Sequence, residues 1–229
     1  MNNSIAIIPA RGGSKRIPRK NIKDFLGKPI IAYSIQAALE SGLFEEVMVS
    51  TDDEEIAEVA RQYGASVPFL RSRTASDDFA TTADVLVEVL KNYKNLGHSF
   101  DYTCCIYPTA VFVTAEKLQK TFNLLIQKNY SSVFPVIPFS YPIWRSLKIE
   151  NEKLSMNFPK YENSRSQDLH VTYHDAGQFY FYKTEVILNK ESIFNGNSFG
   201  IVIDELEGQD IDNLTDWAIA EMKYKLLQG

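Results

Sequence analysis

Ile5-Ala6-Ile7-Ile8-Pro9-Ala10-Arg11-Gly12-Gly13-Ser14-Lys15-Arg16-Ile17-Pro18-Arg19-Lys20-Asn21 sets a short apolar run directly before a glycine-containing, strongly basic segment. Ile5, Ile7 and Ile8 are β-branched and the run is too short for a helix, which predicts a buried parallel strand. Gly12 and Gly13 let the chain turn sharply and bring backbone N–H groups close to an anion. Arg11, Lys15, Arg16, Arg19, Lys20 and Lys23 follow with no acidic residue among them, in a chain of formal net charge -5. Positive charge gathered against the overall bias points to a polyanionic ligand. A basic run of this length also serves as an ordinary solvated loop. The spacing fits neither Gly-x-x-x-x-Gly-Lys-Ser/Thr nor Gly-x-Gly-x-x-Gly, so two common phosphate-binding fingerprints are excluded.

Outward from this segment the chain alternates strand and helix. Ile30, Ile31, Ser34, Ile35, Ala38 and Leu39 are spaced for one helical face, with Pro29 at the first turn and Gly42 at the stop. Val47-Met48-Val49-Ser50 reads as a second buried strand, and Thr51-Asp52-Asp53-Glu54 as a capping box for a helix carrying Ile56, Val59 and Ala60 inward. Val67-Pro68-Phe69-Leu70 reads as a third extended segment, followed by a helix through Val85, Leu86, Val89 and Leu90. Tyr102 to Tyr107 and Val133 to Ile137 read as strands around a helix that Thr114 caps. This βα rhythm predicts a doubly wound, mainly parallel α/β sheet with its ligand site beyond the carboxyl ends of the strands. The basic segment occupies that place.

With 229 residues and 45% hydrophobic content, the chain is long enough for one such domain over residues 1–229. No stretch approaches a transmembrane helix, and the first residues lack the layout of a secretory signal, so a cytoplasmic protein with no membrane partner is expected. The acidic balance argues against nucleic acid as the principal partner. Cys104 and Cys105 are the only cysteines; as neighbours on a strand they point to opposite faces, as small core residues. From Pro138 the rhythm stops. Ser146 to Ile149 and Lys153 to Phe158 read as a hairpin around Glu150-Asn151-Glu152, within a candidate arm spanning 138–175. Such an arm packs on a second copy or over its own domain. Near the end, Asp210 and Asp212 have period-two spacing and project from the same side of an extended segment. Two carboxylates placed so can hold a hard cation such as Mg²⁺ or Mn²⁺, although aspartates ahead of a helix are also ordinary caps.

Ile8-Pro9-Ala10-Arg11-Gly12-Gly13-Ser14-Lys15, with Ile17-Pro18 and Lys20-Asn21, resembles the N-terminal motif of the nonulosonic acid cytidylyltransferases, the CMP-sialic acid synthetase group. The resemblance implies a Rossmann-like nucleotidyltransferase that moves CMP from CTP to the anomeric hydroxyl of a nine-carbon sugar acid and releases pyrophosphate. It implies nucleotide contacts from Ala10, Arg11, Gly12, Gly13, Ser14, Lys20 and Asn21. Arg71-Ser72-Arg73-Thr74-Ala75-Ser76-Asp77 is similar to the family's Arg-Pro-x-x-Leu-Ala-x-Asp, one position shorter and with Ser72 and Ala75 following it loosely, so Arg71 and Asp77 are expected at the nucleotide too. Ile106-Tyr107-Pro108-Thr109-Ala110-Val111 stands where sialic acid synthetases carry Leu-Gln-Pro-Thr-Ser-Pro, so a phenol replaces an amide at the sugar. Arg165-Ser166-Gln167-Asp168 and Tyr173-His174-Asp175-Ala176-Gly177-Gln178 are similar to the segments that line the sugar pocket, implying sugar contacts from Arg165, Gln167, Tyr173, Asp175 and Gln178. Asp175 and Gln178 replace the commoner asparagine and alanine. Together with Tyr107 they resemble the branch of the family that acts on pseudaminic acid in bacterial surface-glycan pathways, including flagellin glycosylation. Asp210 and Asp212 are similar to the family's metal motif.

The resemblance implies a site in which Arg11, Lys20 and Asp212 carry the catalysis, with Arg11 and Lys20 on the phosphates, Asn21 and Arg71 at the nucleoside, and Asp210 and Asp212 on Mg²⁺. It also implies a homodimer made through the arm. The proton acceptor is unassigned, and His174 reads equally as a hydrogen-bonding contact. Sialic, legionaminic and shorter ulosonic acids are the alternative sugars. A non-catalytic sugar-nucleotide-binding protein is the alternative class, against which the joint presence of Lys20, Asp210 and Asp212 speaks.

Overall fold

The computed structural model describes residues 3–76 and 79–228. β1 (Ser4–Pro9) is buried on both faces, as an unbroken β-branched run demands of a central parallel strand. The basic segment then leads through a two-residue ribbon, β2 (Asp24–Phe25) and β3 (Lys28–Pro29), into α1 (Ile31–Glu40). β4 (Glu46–Ser50), α2 (Glu54–Gln62), α3 (Thr82–Asn95), β5 (Tyr102–Ile106), α4 (Ala115–Gln127) and β6 (Ser132–Pro138) continue the alternation. The ribbon of β7 (Leu147–Glu150) and β8 (Lys153–Met156) interrupts it. β9 (Tyr173–Asp175), β10 (Phe179–Lys183), α5 (Thr184–Leu188), β11 (Ser198–Val202) and α6 (Leu214–Gln228) complete the chain.

The main sheet runs β11-β6-β10-β5-β1-β4, with β9 added beside β6. β4, β1 and β5 are parallel, with Ile7 opposite both Met48 and Cys105. β6 and β11 are also parallel to each other. β10 runs against both of its neighbours, β5 and β6, so β6 and β11 share the direction of β1. The sheet is therefore mainly parallel, with β10 and β9 reversed. Helices cover both faces. Ala6, Ile8 and Cys104 meet α1, α2 and α4, whereas Ile5, Ile7 and Cys105 meet α3 and α5. The two cysteines thus face opposite layers as buried, free thiols.

Three expectations are corrected. Val67-Pro68-Phe69-Leu70 is not a strand: only Ser66 bridges to Met48, and Pro68 has no N–H with which to continue the ladder. The cap of α2 is Asp53 rather than Thr51; its carboxylate accepts from the Ile56 N–H at 3.1 Å, while Thr51 Oγ1 accepts from Asp53 N–H at 3.2 Å. The excursion after β6 starts and ends side by side, Phe139 N–H donating to Thr172 O at 2.9 Å. Residues 173–175 already belong to the main sheet, so the arm proper is shorter than 138–175. No helix among the described residues is long and apolar enough to cross a membrane.

Candidate active site

β1 lies between β4 and β5, so the chain leaves its carboxyl end toward both sides and a crevice opens there. The crevice is a cleft of about 480 Å³. Arg11, Lys20 and Asn21 line it from the basic segment, Tyr107 and Thr109 from the end of β5, and Asp210 and Asp212 from nearly two hundred positions further along. Two neighbouring clefts adjoin it, one sharing Asp210 and holding His174 and Asp175, the other sharing Tyr107 and holding Asp175 and Tyr180.

One apolar cluster brings the two distant segments together. Ile17 of the basic segment and Ile211, both essentially fully buried, pack with Phe25, Tyr33, Trp217 and Ala220. Because Ile211 points inward, the flanking Asp210 and Asp212 turn to the cleft, as their period-two spacing predicts. Lys20 Nζ donates to Ile211 O at 2.7 Å, and Arg16 pairs with Asp212 at 2.7 Å. Asp216 accepts from the N–H groups of Asp212 and Asn213, both at 2.9 Å, while Asn213 accepts from Asp216 N–H at 3.1 Å. This reciprocal cap fixes the turn from Asp212 into α6.

The electrostatics centre on Lys20 and the aspartates. Burial lowers the Lys20 ammonium from its ordinary value, the nearby Asp212 and Asp210 pull it back, and Arg16 and Arg11 push it down again. Asp210, though reached by solvent at the cleft, is raised by desolvation and then by the adjacent Asp212 charge. Two neighbouring carboxylates, open to a cleft lined with cations, form a donor set that suits a hard divalent ion. No group of three or more His, Cys, Asp or Glu side chains suited to a metal occurs among the described residues.

The basic segment is committed more to the chain itself than its charge alone indicates. Arg19, at φ 55, ties the segment to the start of α2 through Asp53 and Glu55. That contact holds the Asp53 carboxyl below its ordinary range, hydrogen bonding to Arg19 being the largest cause. Gly12 N–H donates to Asp52 at 2.9 Å, and a Cβ on Gly12 would stand 2.7 Å from Asp53 Oδ2. Gly12 is therefore required by the β4–α2 turn, and its amide is already occupied. A Cβ on Gly13 would meet nothing within 4 Å. Ser14 lines the cleft, Asn21 Nδ2 holds Arg11 O at 2.9 Å, and Ala10 is buried against α1 rather than exposed to the cleft.

Other expected residues are placed as follows. Arg71 is buried at the end of β4, where its Nε donates to Ser50 Oγ at 3.0 Å and its Nη2 to Ser50 O; burial lowers its pKa, and it does not line the cleft. Asp77 lies outside the described residues. Tyr107 packs on Tyr180 at 5.5 Å, and burial raises its phenol. Asp175 Oδ1 accepts from Tyr180 O–H and from Gly177 N–H, each at 3.0 Å. Gln178 is corrected: it is 1% exposed and turned away from these clefts, with Nε2 on Glu207 O. Arg165, paired to Asp168 at 2.8 Å, Gln167 and Tyr173 are exposed and line none of the three clefts. His174 Nδ1 is 2.8 Å from Asp175 O, and its ring packs on Phe139 at 4.9 Å. Sequence reasoning missed Arg16, which nothing separates from its basic neighbours, and Tyr180, whose alternation with Tyr182 toward Phe134 and α5 was available.

A doubly wound sheet with a basic loop at its switch point and a carboxylate pair opposite defines a Rossmann-like nucleotidyltransferase. The chain belongs to the cytidylyltransferase family, whose model matches residues 5–213. It is 44% identical over 224 residues to the pseudaminic acid cytidylyltransferase of Campylobacter jejuni, covering 97% of each chain. It is 33% identical to the CMP-N,N'-diacetyllegionaminic acid synthase of Legionella pneumophila over 98% of this chain and 97% of that one. Among solved structures, a CMP:2-keto-3-deoxy-manno-octonic acid synthetase complexed with CTP superposes with TM-score 0.74 at 17% identity, over 99% of both chains.

Proposed function

We propose that this enzyme transfers CMP from CTP to the anomeric hydroxyl of pseudaminic acid, releasing pyrophosphate. The observation that carries the reading is the single cleft shared by Arg11, Lys20, Tyr107, Asp210 and Asp212, in a chain 44% identical to a pseudaminic acid cytidylyltransferase. Arg11 and Lys20 neutralise the CTP phosphates, Lys20 from a position beside Asp210 and Asp212 with its Nζ on Ile211 O. Asp210 and Asp212 would hold Mg²⁺ or Mn²⁺, which supplies charge neutralisation at the phosphates when bound. The sugar hydroxyl attacks the α-phosphorus in line, so positioning and charge stabilisation supply the rate and no covalent nucleophile is required. Tyr107, Tyr180 and Asp175 form the wall against which the sugar's substituents are sorted.

We further place the protein in the cytoplasm, where CTP is available, as a homodimer. Register puts Leu147, Ile149, Leu154 and Met156 on one face of the β7–β8 ribbon. Leu147, Ile149 and Leu154 are 56%, 75% and 64% exposed. A two-stranded ribbon is marginal alone, and this apolar face suits a second copy of the chain, which would carry Arg165 and Gln167 toward the neighbouring cleft.

The test is pyrophosphate release from CTP and Mg²⁺ with a panel of pseudaminic, N,N'-diacetyllegionaminic and N-acetylneuraminic acids. Turnover is expected with pseudaminic acid at a kcat/KM at least about 100-fold above the others, the scale on which a pocket rejects a small change of substituent. Preferred turnover of another sugar overturns the substrate; CTP binding without turnover of any overturns the reaction.

A further inference from the structure

Residues 204–212 carry the two aspartates but contain only one short turn, Glu205–Glu207. Beyond the contacts of Lys20, Arg16 and Asp216 with Ile211 and Asp212, side chains from α6, α4 and the turn before β10 hold its first part. Lys223 of α6 donates from Nζ to Glu205 O at 2.8 Å and to Gly208 O at 2.9 Å. Gln178, buried ahead of β10, donates from Nε2 to Glu207 O. Lys117, near the start of α4, pairs with the Glu207 carboxylate at 2.9 Å. Gly208 seats the segment against the sheet, for a Cβ there would stand 2.5 Å from Ile137 Cδ1 and 3.1 Å from Gln178 Nε2.

The placement of Lys223 is unusual for a helix that packs on a core. Trp217, Ala220 and Lys223 follow at three-residue spacing, so an ammonium stands on the stripe that otherwise buries apolar side chains. It spans two carbonyls lying two and five residues before Asp210. We propose that Lys223, with Gln178, is a positioning residue that sets the Asp210–Asp212 pair over the cleft. The inference rests on reading that pair as the metal-holding carboxylates. It also explains why Gln178 is sequestered from the sugar side: its amide serves the aspartate segment.

Lys223→Met keeps the aliphatic stem and removes the ammonium. Its expected effect is an increase of about tenfold in the Mg²⁺ concentration for half-maximal pyrophosphate release, the scale on which supporting contacts tune a metal site. The kcat at saturating Mg²⁺ should change far less, and Lys223→Arg should restore the metal curve. Amide hydrogen exchange, which does not depend on turnover, should quicken over residues 204–213 and stay unchanged in β1 and β5. Wild-type exchange over 204–213 in Lys223→Met, or a quickening spread equally through the sheet, overturns the proposal. Asp212→Ala measured alongside separates the two readings: an unchanged metal curve in that variant overturns the carboxylate pair itself, while local exchange in Lys223→Met reports on the positioning alone.

Discussion

Gly12 and Gly13 are adjacent in sequence and opposite in consequence. A methyl at Gly12 collides with Asp53, the cap of α2, whereas one at Gly13 enters open space. Gly12→Ala is therefore expected to destabilise the fold by about 1–2 kcal/mol through the displaced cap, read as a lower thermal midpoint. Gly13→Ala should melt as wild type yet raise the KM for CTP if the nucleotide phosphates approach that backbone; an unchanged KM means that they do not. Asp210 gives a pH signature. Its folded pKa lies above the ordinary 3.8, so the fold binds this proton more tightly than the unfolded chain does. Its contribution to stability is present at low pH and lost as pH rises through the raised value. Asp210→Asn should accordingly raise the metal-free thermal midpoint at pH 7, with no gain at pH 3.5, and remove the added stabilisation by Mg²⁺ with CTP; a lower midpoint at pH 7 contradicts the assignment.

At the scale of elements, most of the fold was legible because period and β-branching report burial directly. Ile5 to Ile8, Val47 to Val49 and the Thr114 cap were found where the residues placed them. What was not legible was set by partners distant in sequence. The extended reading of residues 67–70 failed because Pro68 cannot continue a ladder, and the helix cap lay two residues later because Asp53, unlike Thr51, faces the Ile56 N–H. In the site, the motif residues lining the cleft were readable as chemistry, but Arg19, Gly12 and Gln178 are spent on structure through contacts that spacing does not encode. Ile211 illustrates the converse: an unremarked isoleucine between two aspartates joins their segment to Ile17. Ile211→Ala should cost about 2–5 kcal/mol, as for a fully buried isoleucine, and lower kcat/KM for CTP at temperatures where the protein is still folded. Full kcat/KM in a folded Ile211→Ala protein would show that the cluster does not hold the two segments in register.

For the whole molecule, the exposed apolar face of the β7–β8 ribbon is the surface that the proposed homodimer would cover. Ile149→Asp together with Leu154→Asp should convert a dimer to a monomer in light scattering, and should weaken sugar binding more than CTP binding; a wild-type protein that is monomeric at micromolar concentration contradicts this. The cleft at the carboxyl ends of β1 and β5, with Asp210 and Asp212 on its lining, is the proposed place of CMP transfer. The most direct test is pyrophosphate release from CTP and pseudaminic acid by Asp212→Ala beside wild type. A loss of roughly 10²–10³ in kcat/KM is predicted, the scale of removing one charge-stabilising group, with a thermal midpoint close to wild type. Release at the wild-type rate would mean that Asp212 takes no part in the transfer.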